Sequence, residues 1–275
     1  MIILTAVSAL GGIAFVLASL LVLANRKLYV QEDPRIDIVE DNPVVWNPYG
    51  VTVDPAGDVL WVSGDRGVYA YATKMCESLP LTMVGTSFDD VMVGTPGIDV
   101  VHAGQGNDLV TLGDGDDVGC GGRGNDVLSG EGGSDFLRGG ARNDTLLGGA
   151  DPDELLGGAG RDRLFGGTGG DVMSGEAGRD ILRGRGGNDE MSGGAGNDDL
   201  YGDGGADLLI GNGKNDLLNG GRGNDSMFGS SGKDDLRGGR GDDAMDGGIG
   251  NDRCSGNAHV IGDVAIRCET VIGVP

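Results

Sequence analysis

From Asp90 to Asp252 an aspartate stands at every ninth residue without a slip, and any fold for this chain has to accommodate that interval. The ladder comprises Asp90, Asp99, Asp108, Asp117, Asp126, Asp135, Asp144, Asp153, Asp162, Asp171, Asp180, Asp189, Asp198, Asp207, Asp216, Asp225, Asp234, Asp243 and Asp252. Neighbouring columns are nearly as regular. Gly121-Gly-Arg-Gly-Asn-Asp126-Val-Leu128-Ser reads G-G-x-G-N-D-x-L-x, and Gly130-Glu-Gly-Gly-Ser-Asp135-Phe-Leu137-Arg continues the frame. Counting units of nine from Gly85, position one is glycine except at Ala103 and Leu112. Position four is glycine except at Phe88, Arg142, Asp151 and Lys214, and position eight is Leu, Met or Val except at Gly119 and Cys254. A fixed internal period of this kind decides the architecture before any local propensity does.

Each unit divides into two parts. Glycines at positions one, four and often two permit positive φ and close backbone approach, so the first six residues suit a tight turn. The last three, x-Leu-x, suit a very short strand with its middle side chain turned inward. Two units then make one coil of eighteen residues, and strands stack in parallel at about 4.8 Å. The nineteen units of residues 85–255 would build a rod roughly 45 Å long. The expected fold is therefore all-β, a solenoid of stacked parallel strands.

One inward aliphatic per nine residues is a thin core, set against the entropy lost by ordering a glycine-rich chain. The stacked aspartates also repel one another. With 58 glycines and a formal net charge of −23, apolar packing alone should not hold this fold. A hard divalent cation answers both difficulties. Calcium takes six to eight oxygen ligands with tolerant geometry, and the turns supply carboxylates and carbonyls with almost no nitrogen or sulfur. Magnesium demands a smaller octahedral cage, and zinc, copper and iron are disfavoured by ligand type. His102 and His259 stand apart from the ladder.

The nonapeptide resembles the repeat of the RTX (repeats-in-toxin, hemolysin-type) calcium-binding proteins. The resemblance covers residues 85–255 and implies a right-handed parallel β-roll with calcium held between turns of neighbouring coils. It implies that position-six aspartates eighteen residues apart share an ion, as Asp126 with Asp144, Asp189 with Asp207 and Asp225 with Asp243. Two interleaved stacks would then offer at most about seventeen interior sites. Some turns depart from the pattern. Asp151-Pro-Asp153 restricts the residue before the proline, and Arg142 and Lys214 put bulky cations at position four. Thr86 and Thr95, β-branched at position two, mark the first two units as capping turns.

Outside the repeats the composition changes. Residues 1–24 carry no charge and read as a signal peptide or a transmembrane anchor; as a helix they would run about 36 Å, enough to cross a bilayer. Residues 25–84 contain both tryptophans and form a small β-rich segment. Within it, Asn47-Pro-Tyr-Gly-Val-Thr-Val-Asp54-Pro-Ala-Gly-Asp-Val-Leu-Trp61-Val-Ser reads as two strands around a turn, with Gly67-Val-Tyr-Ala-Tyr-Ala as a third. This stretch, 47–73, is similar to one NHL-type propeller blade, but a propeller needs at least four. Residues 256–275 form a C-terminal cap. Cys254 and Cys268 bracket that cap, and Cys76 and Cys120 make a second potential pair; in an exported chain both become disulfides, and the alternative is four buried thiols. The cap resembles that of small Sec-exported RTX proteins.

A chain this acidic repels nucleic acid and anionic membrane surfaces, which excludes those partners apart from anchoring through residues 1–24. Arg240-Gly241-Asp242 is an ordinary stretch of one repeat, as are the sequons at Asn143 and Asn224, and no catalytic motif is present. The expected function is a non-enzymatic, exported calcium-binding protein, secreted or at the cell surface, that folds on binding several Ca2+ ions. The alternatives are a calcium-dependent surface adhesin, or a hemolysin-like toxin or remnant of a secreted enzyme. The protein partner is unknown.

Overall fold

A computed structural model describes residues 21–24, 27–30, 39–40, 51–53, 59–64, 67–72, 79, 81–256 and 264–272. All regular elements among them are β-strands, and the chain divides into two compact units, Met1–Leu79 and Pro80–Pro275.

The second unit is a solenoid of two parallel sheets. Strands beginning at Leu109, Val127, Thr145 and Arg163 succeed one another in one sheet, and those beginning at Val118, Phe136, Glu154 and Val172 in the other. Alternate units thus feed alternate sheets. Every inner pairing has a register of eighteen, as in Leu128 with Leu146 and Leu137 with Leu155, so two units complete one coil as expected.

The strands are longer than the three residues expected. Most span six, as in Val127–Gly132, and run from position seven into position three of the next unit. Pairing skips position one, however: Ser129 pairs with Leu147 and Glu131 with Gly149, with no partner pair between them at Gly130 and Gly148. Position one is a corner within each strand. The lack of a Cβ there lets the backbones of successive coils stay close enough to resume the ladder after the bend.

The core is one cluster made of two facing columns of inward side chains, one from each sheet. Leu128, Leu137, Leu146, Leu155 and Leu164 have no exposed surface, the later position-eight residues are at most 2 % exposed, and Cys254 is the last of them. Two breaks in the frame explain each other. Gly119 leaves position eight empty, and a Cβ built on it would lie 3.1 Å from Cδ1 of Leu112. Leu112, out of frame at position one, is fully buried and fills the space that Gly119 leaves together with Leu137 and Leu128, whose Cδ2 atoms lie 3.2 and 3.4 Å from the same point. At the C-terminal end Val264–Ile266 joins one sheet and Thr270–Ile272 the other. A disulfide joins Cys254 to Cys268. Cys120 is also disulfide-bonded, and Cys76, its expected partner, lies outside the described residues.

In the first unit Val51–Val53, Val59–Gly64 and Gly67–Ala72 form an antiparallel three-stranded sheet where three strands were expected. Leu21–Ala24 pairs antiparallel with Lys27–Val30, so the last four residues of the apolar segment form a strand, where a helix had been considered. Leucine and valine serve either state, and the adjoining Lys-Leu-Tyr-Val supplies a strand partner. The expectations for residues 1–20 lie outside the described residues. Among those described, no helix is long and apolar enough to cross a membrane.

Candidate metal centre

The position-six aspartates line the turns, and their main chains are fully used by the stack. The carbonyl of Asp126 accepts the N–H of Thr145, and its own N–H donates to Oδ1 of Asp144 at 2.8 Å. The other expected pairs are built alike, with Asp189 donating to Asp207 at 2.9 Å and Asp225 to Asp243 at 3.1 Å. Each carboxylate therefore spends one oxygen on the coil before it.

The second oxygen has no such use. Oδ2 is buried without a hydrogen-bond partner at each ladder aspartate from Asp108 through Asp234, and again at Asp252. Buried polar atoms are nearly always paired, so a regular series of orphaned carboxylate oxygens calls for a ligand. Burial is the main force on their protonation. It raises Asp126 and Asp135 to about 6, and Asp144, Asp153, Asp180, Asp207 and Asp216 to about 7. The N–H donated from the preceding coil pulls the other way. In Asp144 and Asp180, neighbouring ladder carboxylates add to the rise.

Position one explains where the orphaned oxygen points. A Cβ on Gly121 would lie 2.4 Å from Oδ2 of Asp126 and 2.8 Å from the carbonyl oxygen of Gly139, one coil on. At Gly229 the same distances, to Asp234 and Gly247, are 2.5 and 2.6 Å. A carboxylate and a carbonyl thus converge on a space that any side chain at position one would occupy. Position four imposes a second restriction. Gly124 has φ +148, and a Cβ there would sit 1.5 Å from the carbonyl oxygen of Gly106.

The first two ladder residues differ. Oδ2 of Asp90 accepts both the N–H and the hydroxyl of Thr86, and Oδ2 of Asp99 accepts the same pair from Thr95. The Thr95 N–H, with help from the hydroxyls of Thr95 and Thr82, holds Asp99 below the usual carboxylate range despite its burial. At the next two units, Ala103 and Leu112 place a real Cβ in the position-one space. The complete cradle begins at Gly121.

The suspect turns keep the frame. Arg142, Asp151 and Lys214 adopt φ of 84, 71 and 77, the conformation glycine supplies elsewhere, and their side chains are exposed. Asp153, after the proline, still donates to Oδ1 of Asp171 at 3.0 Å. The sequence reading missed a second ladder at position five. Oδ1 of Asn107 accepts the N–H of Asn125, and Oδ1 of Asn125 that of Asn143, so this series runs opposite in direction to the aspartate series. The recurrence of Asn and Asp before the ladder aspartate was its signal. His102 is half-buried on an outer column, away from the ladder, and His259 lies outside the described residues.

Calcium fits this donor set, which is all oxygen, partly carbonyl and regularly spaced. Among the described residues no three His, Cys, Asp or Glu side chains gather into a compact cluster, so backbone carbonyls have to complete the coordination. Residues 84–118, 121–146, 138–173, 165–200, 174–209, 201–236 and 228–258 match the RTX calcium-binding nonapeptide repeat family. A comparison with curated proteins finds no match. With its solenoid of parallel strands and its repeats matched over more than half the length, the chain belongs to the RTX calcium-binding nonapeptide repeat family, as a calcium-binding β-roll protein.

Proposed function

We propose that calcium ions lie between successive coils of this protein, held by the orphaned Oδ2 of the ladder aspartates and the carbonyls facing them. The proposed ligand set runs from Asp126 through Asp234, where the glycine cradle is present. Asp108 and Asp117 have the orphaned oxygen but lack the cradle, and Asp90 and Asp99 already have threonine donors. Bound calcium supplies the positive charge that the stacked carboxylates lack. Folding of the repeats is coupled to that binding, since a metal-free stack carries buried, mutually repelling carboxylates.

The observation that carries this reading is the series of buried, partnerless carboxylate oxygens, one per turn. Circular dichroism of the full chain in calcium and in excess chelator tests it. A strong strand signal is expected in millimolar calcium and its loss on chelation; the same spectrum in both conditions would sink the proposal.

We further propose that the protein is exported and non-enzymatic. The Cys254–Cys268 disulfide suits an oxidising compartment. A site that saturates between the micromolar levels inside cells and the millimolar levels outside would keep the chain unfolded until release, because extracellular modules bind with dissociation constants of roughly 10⁻⁴–10⁻³ M. N-terminal sequencing of protein recovered from the medium checks export and locates any cleavage near residue 24. Protein confined to the cytosol would contradict it.

A further inference from the structure

The repeat frame ends at Ser255, yet the last ladder aspartate is treated as though another unit followed. Asp252 donates its N–H to Oε2 of Glu269, where each ladder aspartate from Asp90 through Asp234 donates to Oδ1 of the aspartate eighteen residues on. The N–H of Glu269 returns to the carbonyl of Asp252 at 3.0 Å. A Cβ on Gly247 would lie 2.8 Å from Oδ2 of Asp252 and 2.4 Å from the carbonyl oxygen of Arg267. Arg267 therefore presents the carbonyl that a position-one glycine presents elsewhere, and Glu269 presents the carboxylate.

We infer that Asp252, Glu269 and the Arg267 carbonyl form an additional divalent-cation site, assembled by the non-repeat tail at the end of the stack. The inference rests on the calcium reading above. Its independent support is Oδ2 of Asp252, which is buried without a partner in a side chain only 1 % exposed. The tail is fixed well enough to serve as a ligand. Cys268, next to Glu269, is tied to Cys254 by the disulfide, and Gly247 N–H donates to the Ile266 carbonyl at 3.1 Å. The guanidinium of Arg267 is turned onto the carboxylate of Asp246, which neutralises it and leaves its carbonyl toward Gly247.

The opposite end of the stack shows that a terminus need not be finished in this way. There the closing groups are hydroxyls. Thr86 and Thr95 saturate Oδ2 of Asp90 and Asp99, and Thr82 donates to Oδ1 of Asp99 at 3.0 Å. A threonine neutralises nothing and uses up the oxygen. At the C-terminal end the tail adds a further negative charge beside an oxygen that is still unused, and that arrangement suits a cation.

Native mass spectrometry of the full chain, counting calcium ions at saturation, tests the site. Glu269→Gln keeps an oxygen to accept the Asp252 N–H but removes the charge, and Glu131→Gln, on an outer position away from the ladder, is the control. Glu269→Gln is expected to hold one ion fewer than wild type, with an unchanged strand signal in calcium, and Glu131→Gln to hold the wild-type number. An equal count for wild type and Glu269→Gln overturns the inference. So does the loss of several ions together with the strand signal, which would make Glu269 a folding residue. A wild-type chain that binds no calcium would instead remove the underlying reading.

Discussion

Leu112 and Gly119 look like independent errors in the repeat, yet the first occupies the volume the second leaves open. Their energies should therefore be strongly non-additive. Leu112→Ala is expected to cost about 2–5 kcal/mol, because truncating a fully buried leucine leaves a cavity. Gly119→Leu alone should overpack the same volume and lower the melting temperature. The double substitution Leu112→Gly with Gly119→Leu restores the common pattern and should recover most of the loss. Thermal unfolding of all three in saturating calcium checks this, and additive losses would contradict the compensation. A single sequence could not reveal the pairing, because it shows each deviation in its own column and gives no sign that the two columns share a space.

At the scale of the repeated turn, the two hydrogen-bond series run in opposite directions along the solenoid. The aspartate series accepts N–H groups from the coil before, and the position-five series accepts them from the coil after. Each turn is thus held from both sides. The series also differ in burial, which predicts different responses to substitution. Asn125→Ala removes an acceptor from the exposed N–H of Asn143 and should cost no more than about 1 kcal/mol in calcium. Asp162→Asn keeps an oxygen for the N–H of Asp144 but removes a buried charge in mid-stack. It should raise the calcium concentration for half-folding measurably and make the transition less steep. Calcium titrations followed by circular dichroism separate the cases; equal midpoints for Asp162→Asn and wild type would exclude Asp162 as a ligand. The aspartate ladder was legible because side chain and interval both repeat. The corner at position one was not, since glycine reads the same in a turn, a bend or a strand.

For the whole molecule, the interval of nine was sufficient to give the solenoid, its register and its core, because a stack repeats one local solution. The ends were less legible. Capping depends on residues outside the frame, such as Thr82 and Glu269, that become neighbours only when the last coils are in place. The stack as a whole also sets a pH response. In the metal-free fold, burial lifts Asp126 and Asp135 to about 6 and Asp144, Asp180 and Asp216 to about 7, from an ordinary value of 3.8. The folded state then binds more protons than the unfolded one, so its stability rises as pH falls. The penalty is fully present above about pH 7, fades as pH drops through the raised values, and is gone below about pH 4. Chelator-treated protein should gain strand signal between pH 8 and pH 4.5, whereas calcium affinity should weaken over the same range because the ion competes with protons. A metal-free chain that loses structure on acidification would contradict this.

The alternation of units between the two sheets has a consequence for how such a gene can grow or shrink. Removing eighteen residues deletes one coil and leaves everything downstream in place. Removing nine moves every later strand to the opposite sheet, so that Phe165 and Tyr201, which share one outer column, would change sides together. The tail would move with them, since Cys254 with Val271 and Met245 with Ala265 keep their pairings, and the two ends of the solenoid would exchange sheets relative to one another. Copy number in this chain therefore sets a phase: an even change in repeats keeps the tail on its present sheets relative to the first units, and an odd change swaps them.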